Sequence, residues 1–271
     1  MALCHVSYNF VLPPNDIQKV SHLDLKSFCV FIGYPRSGHS LIGSLLDAHP
    51  DIIISHEANI LSLVKEGRKD TDIFQTILEN SRRNALIGRR ETGYSYDVPG
   101  QWQGRARKLT VIGDKKGGRT SLLLHEEPCL LDKLIATLNG LPLKILHVTR
   151  NPFDSIATMF RRRQPPLLDD AIDLYYELSV AVAETKNRID PGAMLDIAHE
   201  DLIADAATEL QRICSFLGVA AEPEYVQSCV GIVYKTPNKS RYSVEWSGAQ
   251  KTKVLNLIKT HAFLAHYTID D

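Results

Sequence analysis

Apolar runs alternate along the chain with stretches in which apolar residues recur every three or four positions. Helical spacing of this kind predicts helices over, for example, 73–86 and 153–160. Short β-branched and aliphatic runs typical of buried strands lie at 29–32, 109–112, 143–148 and 194–198. Strands separated by helices indicate a central parallel sheet flanked by helices on both faces, so the sequence predicts a three-layer α/β fold.

The segment 29–57, CVFIGYPRSGHSLIGSLLDAHPDIIISHE, carries the most specific pattern. A predicted strand runs into the turn GYPRSG, and one face of a helix follows at Leu41, Ile42, Leu45 and Leu46. Backbone N–H groups at such a helix start converge on an anion, and the helix dipole adds to the attraction. The pattern predicts a phosphate-binding loop and a P-loop-like fold; an ordinary strand-to-helix turn with two glycines is the alternative.

One position separates this loop from the nucleotide-triphosphatase pattern. Gly33, Gly38 and Ser40 match that pattern, but His39 stands where it has lysine. Without the lysine, and without an evident metal-holding aspartate at a strand end, ATP hydrolysis is disfavoured. A shorter anion held by the loop amides and Arg36 fits these residues better.

A second strand-to-helix junction lies at 143–160, LKILHVTRNPFDSIATMF. Asn151 suits the N-cap and Pro152 the first helical position. Arg150 at the strand's carboxyl end and Thr158 about two turns further can face one phosphate, because ligands bind outside the carboxyl ends of such strands. The apolar face carries Phe153, Ile156, Ala157 and Phe160, and the polar face carries Asp154, Ser155 and Thr158. A capped surface helix is the alternative.

Together, PRSGHSLIGSLLDAHPD and VTRNPFDSIAT resemble the two phosphate-binding signatures of sulfotransferases that use 3′-phosphoadenosine 5′-phosphosulfate (PAPS). The first signature is most similar to the tyrosylprotein and bacterial small-molecule branches. Three further stretches follow in the family's order: GDKK at 113–116, AHEDLIADAATELQRICSFLGV at 198–219 and KSRYSVEW at 239–246. The resemblance covers roughly 28–267 and implies a single sulfotransferase domain over 1–271, with a substrate-covering insertion around 58–108.

The resemblance also implies roles for particular residues and no metal. The 5′-phosphosulfate is assigned to the loop residues Arg36, Ser37, Gly38, His39 and Ser40. The 3′-phosphate of PAPS, and of the product adenosine 3′,5′-bisphosphate (PAP), is assigned to Arg150 and Thr158, with Arg241 a further candidate. The His39-Ser40 pair replaces the common Thr-Thr, and no G-x-x-G-x-x-K segment occurs near the C-terminus.

Two further residues are implied to carry the chemistry. Glu57 matches the catalytic carboxylate of the tyrosylprotein branch, and a positioned carboxylate can accept the proton that an attacking hydroxyl must lose. The alternative for Glu57 is a carboxylate that stabilises the following helix start. Lys115 matches a lysine near the transferred sulfuryl group, where it can neutralise charge on the bridging oxygen.

Composition narrows the function classes. The formal net charge is −1, so no overall charge favours nucleic-acid or membrane binding. Residues 65–108 hold ten Lys/Arg against six Asp/Glu, which favours an anionic acceptor or marks solvated helical faces. The five cysteines show no metal-binding spacing. No apolar run approaches ~18 residues, and the N-terminal segment lacks signal-peptide features, so we expect a soluble cytoplasmic protein.

We therefore predict a PAPS-dependent sulfotransferase that acts on a hydroxyl or amine of a small-molecule acceptor, such as a specialised metabolite. The alternatives are a small-metabolite or nucleotide kinase and a non-catalytic module that binds adenosine bisphosphate. The missing loop lysine counts against the kinase, and the pair Glu57 and Lys115 counts against the passive module. The sequence carries no prediction of oligomeric state.

Overall fold

The structure is a computed structural model that describes residues 25–91 and 94–270. Five strands form one parallel sheet in the order β2-β5-β1-β6-β7. Their bounds are β1 Ser27–Gly33, β2 Ile52–His56, β5 Val111–Lys115, β6 Leu143–Thr149 and β7 Met194–Ala198. The central parallel sheet predicted from the sequence is confirmed. Because all five strands run the same way, their carboxyl ends share one edge, where the predicted site residues that follow β1, β2, β5 and β6 collect.

Helices cover both faces of this sheet. Side chains alternate along β1, so Cys29 and Phe31 pack into one apolar core while Phe28, Val30 and Ile32 pack into the other. The helices are α1 His39–Asp47, α2 Ile60–Lys65, α3 Asp70–Leu86, α4 Gly117–Glu126, α5 Cys129–Thr137, α6 Pro152–Arg161, α7 Leu168–Arg188, α8 His199–Ala204, α9 Ala206–Leu217, α10 Pro223–Val230 and α11 Gly248–Thr260. Single 3₁₀ turns lie at Pro191–Ala193, Ser240–Ser243 and Ala262–Leu264.

The strand β5 lies further along the chain than the apolar pattern 109–112 indicated. It begins at Val111 and continues through the polar GDKK stretch to Lys115. Glycine at position 113 allows β5 to lie this close to β1, because the Cβ atom of any other residue there would lie 2.2 Å from the carbonyl oxygen of Cys29. The shift carries Asp114 and Lys115 into the sheet, where both side chains are buried.

The segment between β2 and β5 contains α2, α3 and a short antiparallel pair, β3 Arg90–Glu91 and β4 Tyr94–Ser95. A buried ion pair between Arg89 and Asp47 fastens it to α1. Asp47 also accepts hydrogen bonds from Ser81 and from the backbone N–H of Gly104. The segment is therefore attached to the helix that follows the predicted phosphate loop.

Among the described residues, no helix combines the length and apolar character needed to cross a membrane. The N-terminal stretch in which we saw no signal-peptide features lies outside the described residues.

Candidate active site

The predicted phosphate loop connects β1 to α1 through residues in the left-handed backbone region. The φ angles are +128° at Gly33, +69° at Arg36 and +101° at Gly38, which precedes α1. Glycine adopts this region without strain, whereas Arg36 is held there by its surroundings. Oγ of Ser121 accepts a 2.9 Å hydrogen bond from the N–H of Gly33. The first N–H groups of α1 have no acceptor within the helix, so this end can bind an anion.

The side chain of His39 lies beneath the loop. Its Nε2 donates to the carbonyl oxygen of Ile32 at 3.0 Å, and Oγ of Ser37 lies 3.1 Å from Nδ1. Burial lowers the pKa of His39 to about 3, so the imidazole is neutral at physiological pH. Both ring nitrogens of His39 therefore lie within hydrogen-bond distance of groups inside the protein.

Two arginines flank the loop. Nη2 of Arg36 donates to Oε1 of Gln164 at 2.8 Å, and Nη1 of Arg150 donates to the backbone oxygen of Arg36 at 3.1 Å. Nη2 of Arg150 donates to the carbonyl oxygen of Asn238 and, at 3.2 Å, to Oγ of Ser240. Its Nε is buried and has no hydrogen-bond partner in the part of the chain that the structure describes. Arg150 therefore retains a donor for an anion.

The hydroxyl groups next to Arg150 come from distant parts of the chain. Asn151 caps α6 by accepting from the N–H of Phe153, and Pro152 occupies the first turn, as predicted. Oγ1 of Thr158 lies 2.8 Å from Oγ of Ser240, which belongs to the 3₁₀ turn Ser240–Ser243. Arg150, Thr158 and Ser240 thus converge. Ser240 was not among the predicted site residues, because the only candidate predicted from KSRYSVEW was the neighbouring Arg241.

The same 3₁₀ turn covers the helix face that was predicted to be polar. Asp154 is fully buried because Arg241 packs over it: Nε and Nη2 of Arg241 donate to the two carboxylate oxygens at 3.0 and 2.7 Å. Nη1 of Arg241 donates to the carbonyl oxygens of Thr268 and Ile269. The structure thus places Arg241 in internal bonds that fix Ser240 against α6.

A second cluster surrounds Lys115 at the end of β5. Its Nζ donates to Oε1 of Glu57 at 3.0 Å, to Oγ of Ser40 at 3.2 Å and to Nε2 of His56 at 3.3 Å. Lys116 donates to the other carboxylate oxygen of Glu57 at 3.3 Å. Ser40 belongs to the first turn of α1, so Lys115 bridges the phosphate loop and the predicted base. Lys116, the last residue of GDKK, was not among the predicted site residues.

The cations control the charge state of this cluster. Burial raises the pKa of Glu57, but the charge and hydrogen bond of Lys115, with the charge of Lys116, outweigh it and lower the pKa to about 2. Burial lowers the pKa of His56, and Lys115 lowers it further, to about 3. Glu57 is therefore an anion and His56 a neutral acceptor near pH 7.

Asp114 fixes the turn that carries Glu57. Its carboxylate accepts from Oγ of Ser55 at 2.8 Å and from the backbone N–H groups of Ala58 at 2.9 Å and Ile60 at 3.3 Å. Glu57 has a φ of +57°, a conformation that non-glycine residues rarely adopt. These bonds to the buried carboxylate hold the turn in that conformation.

The described residues contain no group of three or more His, Cys, Asp or Glu side chains arranged to hold a metal ion. The site consists instead of cationic groups, hydroxyls and backbone amides around one carboxylate. Such a set can bind and neutralise an anion and accept a proton.

Residues 29–223 match the model of the sulfotransferase family. The chain belongs to the sulfotransferase family. The resemblance seen in the two phosphate signatures is thereby confirmed, as is the expected enzyme class, a transferase. The kinase and passive-module alternatives are not favoured.

Named relatives agree with this assignment. Nodulation protein H of Rhizobium tropici is 26% identical over 209 residues, which cover 71% of this chain and 76% of that protein. Two solved structures share the fold. The sulfotransferase domain of the Synechococcus PCC 7002 olefin synthase has a TM-score of 0.55 and 15% identity, covering 88% of this chain and 94% of that one. The domain from the curacin biosynthetic pathway has a TM-score of 0.57 and 14% identity, covering 90% and 99%.

Proposed function

We propose that this sulfotransferase transfers the sulfuryl group of PAPS to a hydroxyl or amine of a small-molecule acceptor. The observation that carries the proposal is the contact of Lys115 with both Ser40 and Glu57. One ammonium group joins the helix start that can hold a phosphosulfate to the carboxylate that can take a proton. A nucleotide-binding module without catalysis has no need of that junction.

The residues fit the two anionic ends of PAPS. The N–H groups of Ser37, Gly38, His39 and Ser40, with the side chain of Arg36, would hold the 5′-phosphosulfate. The unpartnered buried Nε of Arg150 and the paired hydroxyls of Thr158 and Ser240 would hold the 3′-phosphate. Arg241 would act through Ser240, since its own guanidinium is bonded to Asp154.

The reaction follows from the placement of Glu57 and Lys115. Glu57 would accept the acceptor's proton as the acceptor oxygen or nitrogen bonds to sulfur. Lys115 would neutralise the charge on the bridging oxygen as the bond from that oxygen to sulfur breaks and PAP leaves. Movement of Lys115 toward that charge would weaken its hold on Glu57, and the pKa of Glu57 would then rise as the proton arrives. Alignment and charge neutralisation supply the catalysis, as in phosphoryl transfer.

The chain in this proposal forms one sulfotransferase domain, with the segment 58–108 lying over the acceptor side. The sulfotransferase domains of the olefin synthase and the curacin pathway are named for biosynthetic routes. Those names support a specialised metabolite as the acceptor here. Binding of nucleic acid or membrane forms no part of the proposal, and the cytoplasmic location stays a prediction.

Calorimetry tests the donor. We expect the protein to bind PAP in the presence of EDTA and to bind magnesium-ATP far more weakly. In Arg150→Ala, loss of a charge-assisted contact of about 1.5–3 kcal/mol should weaken PAP binding by roughly tenfold to a hundredfold. The matched control Arg68→Ala, at an exposed arginine, should bind PAP like the wild type. Equal or tighter binding of magnesium-ATP would contradict the assignment to PAPS.

Single-turnover kinetics test the base. Glu57→Gln keeps the shape of the side chain, so its affinity for PAP should change little. Its rate of sulfation with saturating PAPS should fall by about 10²–10⁴-fold, the range for removing a general base. A wild-type single-turnover rate would show that Glu57 serves only the structure of its turn.

A further inference from the structure

A cleft of about 440 Å³ opens beside Glu57, between the turn at 57–58 and one face of α3. Its size falls in the roughly 300–1,000 Å³ range of small-molecule sites. The residues that line it are Glu57, Ala58, Thr76, Glu79, Asn80 and Arg83. The four from α3 are spaced at i, i+3, i+4 and i+7, so they form one helical face turned toward the predicted base.

This face is fixed relative to Glu57. Oδ1 of Asn80 accepts a 2.8 Å hydrogen bond from the backbone N–H of His56, the residue before Glu57. The adjoining face of α3 buries Ile73 and Ile77 in the core of the sheet. The wall of the cleft and the base therefore keep a set distance, as an acceptor site requires.

The lining is polar. Ala58 supplies its one aliphatic side chain, and no aromatic residue contributes. The guanidinium of Arg83 is exposed and has no hydrogen-bond or ion-pair partner among the described residues. Glu79 is also exposed, and among the described residues its one side-chain hydrogen bond is from Nε2 of Gln75 to Oε1 at 2.8 Å. An apolar or flat aromatic acceptor would find little surface to pack on here, whereas hydroxyl groups can donate to Glu79 and accept from Arg83.

The charge of the lining differs from that of the whole segment. Residues 65–108 carry ten basic against six acidic residues, but the cleft is lined by two carboxylates and one guanidinium. An anionic acceptor would face the carboxylate of Glu79 across the cleft, and the charge of Glu57 is already compensated by Lys115 and Lys116. The basic excess that favoured such an acceptor in the sequence lies mostly outside this cleft.

We propose that this cleft is the acceptor site and that the acceptor is a neutral, hydroxyl-rich compound of the sugar or polyol class. Glu79 and Arg83 bind hydroxyls remote from the one that reacts, and Glu57 receives the proton of the reacting hydroxyl. The inference rests on the proposed function, since it names the acceptor class of that site.

An acceptor panel with PAPS tests the class. The full chain is incubated with glucose, N-acetylglucosamine and sucrose, and in parallel with 2-naphthol, 4-nitrophenol and 1-octanol, and the sulfated products are measured by mass spectrometry. We expect turnover of at least one sugar above every phenol and the alcohol. A preference for a phenol or octanol, or no sulfated sugar at all, overturns the inference.

Variants on α3 test the site with the best sugar. Arg83→Ala should raise the KM for the sugar about tenfold, as expected for one lost charge-assisted bond, with kcat changed less than about threefold. Arg82→Ala, the adjacent arginine that does not line the cleft, is the matched control and should keep the wild-type KM. Equal effects of the two variants, or an unchanged KM in Arg83→Ala, overturn the placement of the acceptor.

PAP binding separates the two proposals. Arg83→Ala and Arg82→Ala should both bind PAP like the wild type, because neither residue belongs to the proposed PAPS site. If PAP binds but no sugar is sulfated, or Arg83→Ala leaves the KM for the sugar unchanged, the acceptor inference is wrong and the donor assignment stands. If the wild type does not bind PAP, the proposed function itself is wrong.

Discussion

Asp114→Ala tests whether the buried carboxylate of Asp114 holds the turn that carries Glu57, the proposed base. Asp114 is 3% exposed and accepts three hydrogen bonds, two of them from the backbone N–H groups of Ala58 and Ile60. The hydroxyl of Ser55 retains a second acceptor in the carbonyl oxygen of Gly113 at 3.2 Å. The substitution therefore leaves chiefly the two N–H groups without a partner.

An unsatisfied buried donor costs about 1–3 kcal/mol, so the loss of a partner for two N–H groups should lower the free energy of unfolding by about 2–6 kcal/mol. Burial raises the pKa of Asp114, because removing the charged carboxylate from water is unfavourable. This cost offsets part of the stability that the hydrogen bonds of Asp114 contribute, so we expect a loss in the lower half of that range of free energies. For a chain of this size the fall corresponds to a Tm lower by roughly 5–15 °C. Release of the turn should also displace Glu57 and lower the single-turnover rate.

Thermal unfolding and single-turnover sulfation are measured on the same preparations, with PAP affinity as the readout that should stay constant. Asp114→Asn keeps one oxygen acceptor and should lose less stability than the alanine variant. Asp132→Ala, at a carboxylate that is 74% exposed, should move the Tm by no more than a degree or two. A Tm and a single-turnover rate in Asp114→Ala that both match this control would refute the reasoning.

Two further predictions concern the lysine pair and the packing beneath the loop. Because the pKa of Glu57 is about 2 in the ligand-free protein, kcat/KM should show no acid limb from this group down to about pH 4. Lys116→Ala removes one cation and raises the pKa of Glu57 toward its ordinary value, so it should move the acid limb of kcat/KM to higher pH. An unchanged pH profile in Lys116→Ala would contradict the contact. A Cβ at Gly117 would lie 2.3–2.7 Å from the ring of His39, so Gly117→Ala should cost about 1–3 kcal/mol of stability. Gly248→Ala, where a Cβ meets nothing within 4 Å, is its control, and equal Tm values would argue against a rigid His39.

The linkage of Glu57 to stability has a definite sign. Its folded pKa lies below the ordinary value of 4.5, so its contribution to stability is present above that pH. The contribution is lost as the pH falls from about 4.5 through about 2. Glu57 is half exposed, so solvent screening keeps this contribution small.

Local patterns were sufficient to predict the elements that carry the site. The strand before Gly33, the cap at Asn151 and the helix start at Pro152 all lie within short windows, and each depends on neighbours a few residues away. Parallel strands place their carboxyl ends together regardless of loop lengths. The order of strands and helices was therefore enough to predict that Arg36 and Arg150 lie at the same edge of the sheet.

Contacts between distant segments could not be predicted in this way. Ser240 and Thr158 are 82 positions apart, and their hydroxyls meet because Arg241 anchors the 3₁₀ turn on Asp154. The periodicity of the sequence placed Asp154 on the polar face of its helix. Periodicity describes a single helix and carries no information about the distant segment that covers it. The position of the His39 ring could not be predicted for the same reason. The space that the ring fills exists because residue 117, at another strand-to-helix junction, is glycine.

The loop without a lysine and the lysine at the end of β5 are complementary features of one site. His39 occupies the space beneath the loop, which Gly117 leaves open on one side. In the proposed mechanism the cation is Lys115, whose side chain packs against α1 at Gly43, where a Cβ would lie 3.0 Å from its Cγ. A lysine within the loop would reach only the anion, whereas one from β5 lies beside both Ser40 and Glu57. In the proposed mechanism, the replacement that counted against ATP chemistry is therefore accompanied by an ammonium group that would act on both the leaving oxygen and the base.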